Sequence, residues 1–297
     1  MPLPPLPNPT SLVERVLGGL RALLVIVVIG STLFACNAVQ VASVLVRPFS
    51  GRLFRAINRA VADFWWGLCV TVARRLNHVR IVVSGDDVPP RENAMVVANH
   101  QAMSDILVLL AYARSKERLG DLKWFVKKAL KYVPGIGWGM SFLDCLFVER
   151  TWLADKTSIE RTFARLVTHR VPLWLVSFVE GTRLTPAKLQ RAVEYARSVQ
   201  MQPLRHLLVP RIKGFVACVA GLRSHIDAVY DVTIAYEGGV PTLWQYAQGF
   251  ARVAHVHVRR YPVALLPPQD ELATWLLARF RDKDELLERY YRHGAFV

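Results

Sequence analysis

From Ala22 to Val46 the chain runs 25 residues without a charged side chain. As a helix rising 1.5 Å per residue, that stretch is roughly 37 Å long, enough to cross the hydrocarbon core of a bilayer. A cleavable leader is disfavoured, because the run is too long for one and follows "MPLPPLPNP" instead of a short basic segment. Asn37 and Gln40 interrupt the run, so a half-inserted hairpin lying in one leaflet stands as the alternative to a full span. Arg47, Arg52, Arg55 and Arg59 follow the run, against Arg15 and Arg21 before it. That asymmetry predicts a membrane protein with its bulk on the cytoplasmic side, at a bacterial inner membrane or the endoplasmic reticulum. The segment "DFWWGLCVTVARR" (63–75) has too few apolar residues to span and reads equally as a helix at headgroup level or as an amphipathic core helix.

The remainder has the material for a large core, since 53% of the 297 residues are apolar, and the net charge of +15 calls for an acidic partner. Four scattered cysteines, Cys36, Cys69, Cys145 and Cys218, with no CxxC pair, argue against a disulfide framework or a zinc site and fit a reducing compartment. Past residue 77, β-branched apolar runs alternate with longer amphipathic segments. Expected strands are Val79 to Ser84, Met95 to Ala98, Leu122 to Val126, Cys145 to Val148, Leu173 to Phe178, His206 to Val209, Ala228 to Tyr236 and Ala254 to Arg260. Expected helices are Ser104 to Arg114, Asp155 to His169, Pro186 to Val199, Arg211 to Leu222 and Asp270 to Arg292, with Ser104 and Thr185 as helix caps. The fold class is α/β, a mixed and largely buried sheet flanked by helices. The expected organisation is a flexible Pro-rich N-terminus (1–20), a membrane segment with its interfacial helix (21–77) and one catalytic domain (78–297).

Chemistry-bearing residues collect where expected strands end. In "VVANHQAMSD", a strand runs into Asn99 and His100, and Asp105 follows in the first turn of the next helix. A carboxylate on one imidazole nitrogen fixes the tautomer and leaves the other nitrogen free to take a proton. That spacing alone also fits a surface histidine beside a capping aspartate. A second strand end carries "FVEGTR", with Glu180, Gly181, Thr182 and Arg183: a glycine for close backbone approach and a guanidinium fork matched to phosphate, though taken alone the motif fits a turn with a solvated arginine equally well. Lys127, Lys128 and Arg150 end two more strands, and Pro210, Arg211, Lys213 and Gly214 follow "HLLV". Cations at several strand ends point to a phosphate pocket.

These blocks, His100 and Asp105 around "QAMS", "YVPGIGW" with "FVER", "FVEGTR" and "VPRIKGF", occur in the order seen in the glycerolipid (PlsC-like) acyltransferase family. The chain resembles its lysophosphatidate-acylating branch, also through "YDVTIAY" and "DKDELLERYYRHGAF", from about residue 20 to the C-terminus. The resemblance implies an α/β domain behind a membrane-associating helical segment. It further implies transfer of an acyl group from acyl-CoA or acyl carrier protein to the sn-2 hydroxyl of a lysophospholipid at the bilayer, with no cofactor. By resemblance His100 is the general base and Asp105 its orienting carboxylate. Glu180, Gly181, Thr182 and Arg183 form the acceptor site, Arg183 and Lys127 hold the phosphate, Arg150 ends the second block, and Pro210 shapes the acyl side. Val179 stands where many relatives have proline.

Other features read more plainly. His255 and His257 share a strand face but lack a third ligand, so no metal site is expected and the pair reads as an exposed face. Trp152, Trp244 and Trp275 read as core or interfacial anchors, and no nucleic-acid-binding pattern accompanies the basic charge. No GxSxG elbow supports a hydrolase. A thioesterase, an acyltransferase for another lysophospholipid and a non-catalytic membrane protein of the same fold are the alternatives.

Overall fold

The computed structural model describes residues 4–149 and 152–296. Helix α1 (Leu12–Ser43) begins at Ser11, whose hydroxyl accepts the N–H of Glu14, and α2 (Gly51–Arg75) begins at Ser50, which accepts the N–H of Leu53. The two form a hairpin. Asn58 Nδ2 donates to Ser43 Oγ (2.8 Å), and Trp65 Nε1 donates to the Ile29 carbonyl (3.1 Å).

Compared with a soluble helix, α1 is inside out. Its buried residues are Gly18, Ala22, Cys36, Asn37, Gln40 and Ser43, while Leu17, Leu20, Leu24, Val27, Phe34 and Val41 are exposed. Asn37 and Gln40, which break the apolar run, therefore belong to the inward face: Asn37 Nδ2 donates to Gln40 Oε1, and Gln40 Nε2 reaches the Gly139 carbonyl at 3.4 Å. An outward face of that composition suits a lipid phase. Helix α1 with its short extension, Leu12–Val46, is long and apolar enough to cross a membrane.

Both ends of α1 nevertheless touch the domain behind it. Near its start, Gly18 packs against the Phe250 ring and Arg21 donates to the Gln248 carbonyl (3.3 Å); near its end, Gln40 meets Gly139. The leader expected to be flexible is also docked from Pro4 onward. Leu6 N–H donates to the Val240 carbonyl (2.9 Å), and Gln245 Nε2 donates to the Leu6 carbonyl (2.8 Å). A proline-rich stretch is already extended, so laying it along an edge costs little chain entropy.

The sheet comprises β1 (Arg80–Gly85), β2 (Ala94–Ala98), β3 (Leu122–Lys127), β4 (Leu146–Val148), β5 (Trp174–Ser177), β6 (Ala228–Tyr236) and β7 (Val253–Pro262), in the order β1-β7-β6-β2-β5-β3-β4. All neighbours are parallel except β6 and β7, which run antiparallel through nine register pairs. The mixed, buried sheet expected from the sequence is thus present. Alternation along β2 sends Val96 and Ala98 to one face and Met95 and Val97 to the other. The first face is covered by α2 and α3 (Ser104–Ser115), through Trp66, Val108 and Tyr112. The second is covered by α5 (Trp152–Thr168), α7 (Ile212–Leu222) and α9 (Leu272–His293), through Phe163, Phe215 and Phe280.

Three further helices complete the domain. The start of α6 (Pro186–Ser198) is capped by Thr185, as expected. The short α4 (Ile136–Phe142) and α8 (Leu243–Gln248) were not expected; α8 carries a capping box between Thr242 and Gln245. The expected strand His206 to Val209 is absent. Its backbone donors go to side chains instead of a ladder: His206 N–H to Asp284 Oδ1 (2.7 Å) and Leu208 N–H to Glu180 Oε2 (2.9 Å).

Candidate active site

Strand β2 stops at Ala98 because the next side chain imitates a strand. Asn99, fully buried, both donates to the Ile234 carbonyl (3.0 Å) and accepts the Ile234 N–H (2.7 Å), closing the β2–β6 seam. The chain then turns outward at His100 and reaches α3. Ser104 is the first helical residue instead of the cap, and its hydroxyl lies 2.9 Å from that of Tyr236. No side chain caps α3; Asp105, in its first turn, reaches back to the preceding turn, where Oδ2 accepts the N–H groups of Gln101 (2.7 Å) and Ala102 (2.9 Å).

The same Oδ2 lies 2.9 Å from His100 Nδ1, while Oδ1 accepts the Tyr236 hydroxyl at 2.6 Å. Four donors meet one carboxylate with no exposure to solvent, as many as its lone pairs accommodate. An acceptor at Nδ1 places the imidazole proton there and leaves Nε2 as the basic nitrogen. Nε2 has no hydrogen-bond partner among the described residues. The ring is 11% exposed and stacks on Phe178 with centroids 4.0 Å apart and planes 15° apart. In the sequence Tyr236 reads only as part of a strand; it ends β6 four residues past Val232, the partner of Ala98, which carries it to the level of the turn after β2.

The loop after β5 is tied directly to this histidine. Leu184 N–H donates to the His100 carbonyl (2.8 Å), and His100 N–H donates to Glu180 Oε1 (2.8 Å). Glu180, expected to belong to the acceptor site, turns inward. Its two oxygens serve His100 and Leu208 N–H groups, it is 4% exposed, and burial raises its pKa to about 7 against the pull of those two N–H donors. Glu180 braces three loops. Gly181 sits at φ 70°, and a Cβ there would lie 2.3 Å from Arg211 Nε, so the Arg211 guanidinium lies over the glycine backbone. Arg211 is held in turn by its N–H to the Val179 carbonyl (2.7 Å), immediately after buried Pro210. The sequence reading named Arg211 without selecting it for the site.

Thr182 accepts a hydrogen bond from Lys188 Nζ (2.6 Å), which also reaches the Arg183 carbonyl (3.1 Å). Lys127 closes β3, whose Trp124 is level with Val176 of β5; three residues on, Lys127 falls level with Val179. Lys127, Arg183 and Arg211 are exposed and form no ion pair with a described residue, whereas Lys128 pairs with Glu149. Hydrogen bonds thus bring together His100, Asp105, Glu180 to Leu184 and Pro210 to Arg211, and sheet topology puts Lys127 on the same rim. Arg150 lies outside the described residues.

The other histidines are placed differently. His255 and His257 were read as an exposed face, but they are half-buried: His255 packs edge-on against Tyr290, and His257 Nδ1 lies 3.1 Å from Ser84 Oγ. Burial lowers both pKa values. Among the described residues no group of three His, Cys, Asp or Glu side chains is placed to hold a metal ion.

An imidazole nitrogen backed by a buried carboxylate, on a rim with three cations that form no ion pair among the described residues, can deprotonate a hydroxyl near an anionic group. Residues 80–237 match the family model described as acyltransferase, and residues 246–297 match the one described as acyltransferase C-terminus. The chain is 39% identical over 260 residues to 1-acyl-sn-glycerol-3-phosphate acyltransferase 2 of Brassica napus, covering 85% of this chain and 67% of that protein. It is 32% identical to the mouse (Mus musculus) delta form of 1-acyl-sn-glycerol-3-phosphate acyltransferase, covering 88% and 70%, and 33% identical to lysocardiolipin acyltransferase 1 of Danio rerio, covering 80% and 63%. The fold is shared with the 1-acyl-sn-glycerophosphate acyltransferase PlsC of Thermotoga maritima at a TM-score of 0.56 and 16% identity, covering 93% and 97%. The chain belongs to the acyltransferase family and is an enzyme of that kind.

Proposed function

We propose that the protein acylates the sn-2 hydroxyl of lysophosphatidate with an acyl thioester, acyl-CoA or acyl carrier protein, to give phosphatidate. The observation that carries the reading is His100, with Nδ1 fixed on buried Asp105 and Nε2 open. In the reaction, Nε2 takes the hydroxyl proton as the oxygen attacks the thioester carbonyl. The tetrahedral intermediate collapses by breaking the C–S bond, and the thiolate leaves with the proton that His100 carries. Asp105 and Tyr236 hold the imidazole in place throughout. Lys127, Arg183 and Arg211 grip the acceptor phosphate, and Thr182 lines the same loop; this positions the hydroxyl instead of changing its chemistry. The names of the plant and mouse relatives support the acceptor. The name of the zebrafish relative supports a second reading, in which a different lysophospholipid is acylated.

At the membrane, the outward apolar face of α1 and its contacts at both ends support a helix lying along one leaflet. The arginines after it support a cytoplasmic site. Thiol release by purified protein tests the activity. Release that requires lysophosphatidate, and that is lost in a folded His100→Ala variant, is the expected result. Release without any acceptor would make the protein a thioesterase, and preference for another lysolipid in an acceptor panel would replace lysophosphatidate.

A further inference from the structure

A cavity of about 750 Å³ lies away from His100. Its walls are the first half of α2 and the segments that lead into β3, β4 and β5, so it opens on the opposite rim of the sheet. β3 separates the two rims by roughly 17 Å at 3.3 Å per residue. Its volume falls within the range of small-molecule sites.

The charge balance of its walls is one-sided. Two carboxylates line it, and both are already neutralised: Asp121 by Arg59 (2.6 Å) and Arg118 (3.0 Å), and Asp144 by Arg165 (2.7 Å). Arg52, Arg55, Arg170 and Lys123 also line the cavity, and none of them forms a hydrogen bond or ion pair with a described residue through its side chain. Lys123 is the telling one, because it is only 5% exposed. Burial lowers its pKa against the pull of Cys145, Asp121 and Asp144, so the proton is bound less firmly than on an exposed lysine, and an anion in the cavity would hold it in place. Arginines after an apolar helix are expected at headgroup level for their own sake. Lys123 and Arg170 come from the sheet rim and have no such reason to point at the same space.

We infer that this cavity is a second binding site, distinct from the acyl-transfer site, for a phosphate ester. Planar guanidinium groups and a lysine amine around a half-open cavity match phosphate oxygens. The mouth is flanked in sequence by Leu45 and Phe49, 76% and 90% exposed, which favours a phospholipid headgroup over a soluble phosphate.

The test is amine labelling of Lys123 in the full-length protein, read by mass spectrometry, with short-chain phosphatidate or inorganic pyrophosphate as the probe. Either ligand is expected to slow labelling roughly tenfold. Protection by both assigns the site to phosphate chemistry alone; protection by the lipid only assigns it to a headgroup. The effect should vanish in Arg55→Ala/Arg170→Asn, where asparagine tolerates the φ of 46° at position 170, and persist in Arg183→Ala, which separates this site from the catalytic one. Hydrogen exchange over residues 120–123 and 168–172 reads the same site should Lys123 be too enclosed to label. No protection by either ligand in labelling and exchange, or protection unchanged in the double variant, would overturn the inference.

Discussion

Asp105 does two jobs with one carboxylate: it pins the turn before α3 and it orients His100. Tyr236 is what makes these compatible, because it occupies the oxygen that neither job uses. Tyr236→Phe keeps the ring and removes the hydroxyl, leaving a buried carboxylate oxygen one donor short, at a cost of about 1 to 3 kcal/mol. The expected outcome is a fall in kcat of roughly tenfold, with the KM for lysophosphatidate unchanged, since the hydroxyl positions the base and touches no acceptor. An altered KM with unaltered kcat would remove Tyr236 from the positioning role. Glu180 gives a different signature. Burial lifts its carboxyl to about 7 in the folded protein, above the ordinary glutamate value of 4.5, so between those values the folded state holds a proton that the unfolded state has released. The stabilisation is complete below pH 4.5 and is lost as pH rises toward 7, about 3 kcal/mol in all. Denaturant titrations across that window should show wild-type stability falling with pH relative to Glu180→Gln, which cannot titrate. Parallel curves for the two proteins would contradict it.

At the scale of elements, the proposed acceptor site can be tested at Gly181, in the turn after β5. Alanine there would force a left-handed φ on a β-carbon and strike the Arg211 side chain. Gly181→Ala should therefore raise the KM for lysophosphatidate several-fold and change that for the acyl donor little; steady-state kinetics with each substrate varied separately reads the difference. The reach of the sequence can be judged on this same turn. Glycine followed by arginine at a strand end was legible as a tight turn carrying an exposed cation, because the residue types alone say so. The inward turn of Glu180 was not, since nothing in "FVEGTR" reveals that two N–H groups from distant loops need an acceptor. The strands of the sheet were legible because buried parallel strands read as continuous apolar runs. "HLLV" reads the same way, yet fails as a strand because Asp284 and Glu180 claim its donors. The short helices α4 and α8 left little periodicity to detect, and α8 depends on a capping box more than on an apolar stripe.

For the whole molecule, the deciding question is how α1 meets the bilayer. A helix that crosses it must separate its two ends by the full hydrocarbon thickness, roughly 30 Å. The contacts of α1 with the domain, at Gly18 to Arg21 and again at Gln40, are themselves about 28 Å apart along the helix. A crossing α1 would therefore carry α8 and α4 to opposite faces of the membrane and pull the charged rims of the sheet into lipid, at several kcal/mol for each unpaired polar group. Lying flat, the same helix buries Leu17, Leu24, Val27 and Phe34 in one leaflet and keeps both contacts. The four native cysteines are all buried, which gives a quiet background for labelling. Thr10→Cys and Pro48→Cys place single exposed thiols just beyond either end of α1. In sealed vesicles of uniform orientation, a membrane-impermeant maleimide is expected to reach both positions from the same side. Labelling of one from outside and the other only after permeabilisation would make α1 a span, and the docking of its two ends on one domain would then have to be abandoned.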